Sequence, residues 1–143
     1  MREGPLRSTT GNGARCPDSQ HDPARRRCVP RLTAPVALVW HLAQTTDWDA
    51  ALTTGSYAIS TRGLTLAEVG FIHCAYAHQV ASVVRLFYTD DDAPLTLLGI
   101  DTQRLAAVGI EVRAEPGDPA HPDSERFPHA YGAIPVTAVT QTH

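Results

Sequence analysis

Residues 69–80 read VGFIHCAYAHQV, a short apolar run in which a histidine and a cysteine stand side by side. Residues 70–74 have the length and the β-branched and aromatic content of a brief buried strand. The period then changes. Val80, Val83, Val84, Phe87 and Tyr88 recur at i, i+3, i+4, i+7 and i+8, the apolar stripe of a core-facing helix. Alternate residues of a strand share a face, so Phe71 and His73 point together while Cys74 points to the other side.

Upstream, residues 36–42 (VALVWHL) form an apolar run whose Val residues and Trp40 favour a first strand. Thr45 and Thr46 are N-cap candidates, Asp47 and Asp49 suit a first helical turn, and Gly55 supplies a stop. These signals predict a two-turn helix with Trp48, Ala51 and Leu52 inward. Residues 56–66 show no clear period and read as loop, with room for one helical turn over residues 65–70.

Downstream, the acids at 90–92 and Pro94 end the long helix, and residues 95–100 form a third strand. Asp101 and Leu105 fit a turn, residues 110–114 a fourth strand, residues 117–124 (GDPAHPDS) an exposed loop, and residues 134–140 a last strand. The order βαβαβββ predicts an α+β domain, with two helices packed on a small, mostly antiparallel sheet.

At 143 residues the chain suits one core. Its charge is unevenly spread. Seven Arg oppose three acids up to Arg31 (+4), whereas five Arg oppose twelve acids beyond it (−7). Residues 1–34 are rich in Arg, Pro, Gly, Ser and Thr and poor in large aliphatics, too poor to offset the entropy of ordering. They are expected to be a disordered basic extension before a single domain over residues 35–143. Met1 is the sole methionine and Lys is absent, so an over-long start assignment is one expected origin of the extension. The run Arg25, Arg26, Arg27 has no aromatic interleaving and precedes an acidic body, so it reads as solvated tail rather than a nucleic-acid contact. No apolar stretch with the length of a signal h-region follows the early Arg residues, and none has the length of a membrane span, which places the chain among soluble, cytoplasmic proteins.

Cys16, Cys28 and Cys74 are odd in number and lack C-x-x-C spacing, against a disulfide framework or a zinc knuckle. No P-loop, G-x-S-x-G or H-E-x-x-H occurs. What remains is a repeated placement of histidine. Val39 shares a face with His41, Phe71 with His73, and Phe127 with His129 and Tyr131 if residues 127–131 are extended. A lone histidine so placed is usually a core residue whose ring nitrogens find backbone partners. Three such histidines suggest more, since each buried imidazole must satisfy a donor and an acceptor.

Adjacent His73 and Cys74 cannot chelate one ion from a strand, so no metal is expected, and Cys74 reads as a small buried hydrophobe. An organic-ligand cleft fits better: His41, His73, His129 and Tyr131, a carboxylate from Glu115 or Glu125, and a cation from Arg62 or Arg113. Glu115, at a strand end before Pro116, is the better catalytic candidate. Tyr57 and Tyr76 are expected at the rim.

Residues 39–43 (VWHLA), 66–80 (LAEVGFIHCAYAHQV), 97–105 (LLGIDTQRL) and 125–139 (ERFPHAYGAIPVTAV) together resemble the domain of unknown function 952 family. Its members share an aromatic residue and His near the start, a Gly-Phe-Ile-His segment, a Leu-rich strand ending in Asp, and a Phe-Pro-His-x-Tyr-Gly block. Many carry Ser where Ala75 stands. The resemblance implies an ADP-ribosyltransferase-like fold, in which a first-strand histidine contacts the ribose of NAD, the place His41 occupies. It also implies cleavage of the nicotinamide–ribose bond, with His41 orienting ribose hydroxyls, Tyr131 walling the nicotinamide and Glu115 meeting the developing positive charge. His41, His73 and Glu115 are therefore the expected catalytic residues, His129, Tyr131, Arg62 and Arg113 the binding residues, and NAD the candidate substrate. A non-catalytic binding module and an acid/base enzyme of specialised metabolism are the competing classes.

Overall fold

Alternation governs β1 (Leu38–Gln44): Val39, His41 and Ala43 are buried and their neighbours less so, as a strand with one core face requires. The computed structural model describes residues 37–90 and 92–143. The extension expected over residues 1–34 lies outside the described residues, as do Cys16 and Cys28. α1 (Thr45–Thr54) follows directly and ends at Gly55, whose φ of 87° is the left-handed conformation glycine adopts without a Cβ penalty. Trp48 and Ala51 pack inward, but Leu52, expected with them, is 55 % exposed. Neither Thr45 nor Thr46 caps the helix; Gln44 holds the capping position with no side-chain bond to the helix's first N–H groups, and Thr45 Oγ1 meets Thr96 Oγ1 at 2.9 Å.

The segment read as loop is built of short pieces: β2 (Ser56–Tyr57), β3 (Ile59–Thr61), β4 (Leu64–Thr65) and α2 (Leu66–Val69). Strands of two or three residues are too short to show a period, which is why the pattern was silent. The helical turn does form. Thr65 and Glu68 make a capping box, with Thr65 N–H donating to Glu68 Oε2 at 2.8 Å. β5 (Ile72–His73) then leads through a single 3₁₀ turn (Ala77–Gln79) into α3 (Val80–Phe87). No residue of α3 is buried, and Leu86 and Phe87 are 73 % and 63 % exposed. The periodic stripe identified the helix correctly but not what its face covers.

β6 (Leu95–Asp101) is followed by α4 (Thr102–Ala107), where a turn was expected. Asp101 caps it, its Oδ1 accepting from Gln103 N–H at 2.8 Å and Arg104 N–H at 3.3 Å. β7 (Val112–Pro116) and β8 (Arg126–Ala130) flank the Pro/Asp loop, β9 (Ile134–Pro135) is brief, and β10 (Val139–Thr142) closes the chain after a 3₁₀ turn at Val136–Ala138. Pro135 starts that turn and splits the predicted last strand.

The result is α+β, with small antiparallel sheets in place of one. The first has the order β1-β6-β10, with β1 and β6 paired from Leu38↔Asp101 to Gln44↔Leu95. A Cβ on Gly99 of β6 would lie 2.9 Å from Trp40 Cζ3, so glycine lets the indole cross the strand. The second sheet, β5-β8-β7, sets His73 beside His129 and Glu115 beside Phe127. Two small pairs, β2-β9 and β3-β4, complete the set. The main sheets are tied where Trp40 N–H donates to Ala75 O at 2.8 Å and Ala75 N–H to Trp40 O at 2.7 Å. Tyr57, Ile72, Leu98, Ile100, Leu105 and Ile134 fill the core. All described residues fall in one compact unit, Pro35–His143. Among them, no helix is long and apolar enough to cross a membrane.

Candidate functional site

The tie between the two sheets brings β1 and β5 together, and with them His41 and His73. His41 is 3 % exposed, and both its nitrogens are engaged. A carbonyl oxygen only accepts, so the 2.6 Å contact with His73 O places the proton on Nδ1; Nε2 then accepts from the Tyr57 hydroxyl at 2.9 Å. Burial drives the His41 pKa down to about 4, against the opposing pull of the His73 carbonyl. His41 is a neutral bracket that fixes the backbone of His73. Tyr57, expected at the rim, is 1 % exposed behind it, and burial raises its pKa.

His73 is half-buried, with its ring edge-on to His129 at 4.9 Å and to Phe71 at 4.7 Å. Burial, then proximity to His129, lowers its pKa. His129 is 4 % exposed and stacks on Phe71 at 4.1 Å. Its Nδ1–H donates to Glu115 Oε2 at 2.8 Å, and the Tyr131 hydroxyl donates to the same oxygen at 2.6 Å. These two bonds hold the Glu115 carboxyl below its usual range, and the carboxylate in turn raises the Tyr131 phenol. His129 Nε2 is buried and has no hydrogen-bond partner among the described residues. A buried polar atom without a partner is costly, and in native proteins it marks a place that something else completes.

His41, His73, His129 and Arg62 line one cleft of about 660 Å³, within the range of small-molecule sites. Glu115 and Tyr131 do not line it; they stand behind His129. Arg113 is also away from it, lying over the Tyr131 ring at 4.5 Å and paired with Glu111 at 2.8 Å. Of the seven expected residues, four therefore meet in the cleft, two support one of those four, and one lies at the surface beyond them.

The family model described as "Protein of unknown function (DUF952)" matches residues 42–142. The chain belongs to this family. It is similar to the crystal structure of protein CC0527 from Caulobacter crescentus at 25 % identity and a TM-score of 0.59, over 75 % of this chain and 84 % of that one. The solution NMR structure of CC0527 is matched at 25 % identity and a TM-score of 0.57, over 74 % and 82 %. No curated protein matches. The matched folds are thus those of CC0527, and likeness to ADP-ribosyltransferases rests on the sequence resemblance alone.

Within this DUF952 domain, Gln79, a residue that supports the cleft from behind, was not among the expected site residues. Gln79 is 3 % exposed; its Nε2 donates to Glu125 Oε1 at 2.9 Å and Arg126 O at 2.8 Å, and its Oε1 accepts from Tyr76 N–H at 3.0 Å. This fixes Glu125, which lines the cleft with Asp118. The only signal was a glutamine at the head of an apolar helix. Cys74 is buried, with its thiol pushed up to about 12 by desolvation, so it is no nucleophile near neutral pH. Among the described residues no three His, Cys, Asp or Glu side chains cluster as a metal site.

Proposed function

We propose that the cleft binds a small nucleoside- or nucleotide-like molecule and acts on it by proton transfer, with cleavage of a glycosidic bond as the reaction its residues suit best. The supporting observation is the Glu115–His129 pair. A carboxylate on Nδ1–H fixes the ring's orientation and leaves Nε2 as its one acceptor, the arrangement of an oriented general base. Once a shift of the cleft wall admits a hydroxyl or water to Nε2, which the fold buries, Nε2 takes the proton while Glu115 stabilises the imidazolium. Glu125, held by Gln79, faces the positive charge that grows on the sugar as the bond to the base breaks. His73, on the same wall, orients a sugar hydroxyl, and His41 positions His73 through its carbonyl. The transferase version inferred from the family resemblance takes NAD as substrate and releases nicotinamide.

Incubation with NAD, with nicotinamide followed by chromatography, tests this. Release is expected, and His129→Ala should slow it by about 10²- to 10⁴-fold, the usual worth of a general base. Binding without release would make the domain a non-catalytic ligand module.

A further inference from the structure

The histidine wall of the cleft faces a second wall of a different kind. Val80, Val83, Leu86 and Phe87 of α3 line the same cleft, and Leu86 and Phe87 are largely exposed there. An apolar helix face kept out of the core forgoes burial in the free protein, and a ligand with apolar surface restores it. The charges point the same way. Among the described lining residues Arg62 stands against two carboxylates, Glu125 and Asp118, the latter also meeting His121 Nδ1 at 2.6 Å, while burial lowers the pKa of both His41 and His73 and so disfavours positive charge on that wall. A pyrophosphate would bring two negative charges into a space already holding two carboxylates against one guanidinium.

We propose that the cleft selects an unphosphorylated, uncharged or cationic molecule, with an apolar ring or chain along α3 and a hydroxyl or N–H donor toward the histidines. The inference rests on the cleft being a small-molecule site, as proposed above, and narrows its preferred ligands to a class that a dinucleotide such as NAD fits less tightly than its nucleoside portion does.

The test uses four probes on the full chain. Nicotinamide riboside, nicotinamide mononucleotide and NAD share one nicotinamide–ribose unit, and the last two add about two negative phosphate charges that the riboside lacks, on a monophosphate and on a pyrophosphate. N-Phenyl-1-naphthylamine is an uncharged apolar fluorophore with an N–H donor. The fluorophore is expected to bind and to be displaced by the riboside, and the riboside to bind at least about tenfold more tightly than NAD. A Leu86→Ala/Phe87→Ala double variant should weaken both about tenfold with an unchanged melting temperature, since truncating side chains this exposed costs the fold little. NAD binding as tightly as the riboside, or unchanged affinities in the double variant, would overturn the inference. If the fluorophore binds and is lost in the double variant while no nicotinamide compound binds, the apolar ligand class stands and the nucleoside reading falls. If no probe binds, both fall.

Discussion

Lowering the pH should destabilise this domain through His41 in particular. Its ring is neutral in the fold, with a pKa moved by burial from 6.5 to about 4. The unfolded chain therefore binds a proton between those values while the folded one does not. Stability from this group is complete above pH 6.5 and is lost as pH falls toward 4. The full gap corresponds to about 3.4 kcal/mol, and the part lost between pH 7 and pH 5 is about 2 kcal/mol. His73, shifted in the same direction, adds to the loss. Urea unfolding at both pH values measures the fall directly. In His41→Gln the same comparison should lose about 2 kcal/mol less than the parent. That holds even though the variant is less stable at pH 7, because the Tyr57 hydroxyl and His73 carbonyl lose an ideal partner. Equal pH dependence in parent and variant would refute a neutral buried His41.

Three further outcomes follow from single contacts. Glu115→Gln removes the anion that raises the Tyr131 phenol, so an ultraviolet titration should show a tyrosine ionising at lower pH than in the parent. Leu98→Ala, at a fully buried position in β6, should cost about 2–5 kcal/mol in chemical denaturation, whereas Leu86→Ala should stay within about 0.5 kcal/mol. In a Cys16→Ser/Cys28→Ser background, Cys74 should resist a thiol reagent at pH 8 in the native protein and react on unfolding, since burial pushes its thiol up to about 12.

Local signals located the elements long enough to show a period. β1, α1, α3 and β6 were legible from apolar runs, a glycine stop and the i, i+3, i+4 stripe. The pieces between residues 56 and 66 were not, because strands this short exist only through partners distant in sequence: Tyr57 pairs with Ile134. α4 was hidden for a different reason, since its one strong signal, the Asp101 cap, is equally a turn signal.

For the site, alternation put Cys74 in the core and Phe71 against His73, as the structure has them, although β5 itself is only Ile72–His73 and both His73 and Cys74 border the cleft. Which histidine is the bracket and which faces the cleft was beyond that logic, because His41, His73 and His129 have the same local pattern. Their roles differ by what lies across the fold. Tyr57 and the His73 carbonyl occupy both nitrogens of His41, whereas Glu115 occupies one nitrogen of His129 and leaves the other bare among the described residues. The α3 stripe makes the same point. Its period determined a helix with one apolar face; only packing decided that this face would wall a cleft instead of a core. Periodicity is set by bonds along the chain, and the partner of a face is set by contacts between segments far apart in sequence.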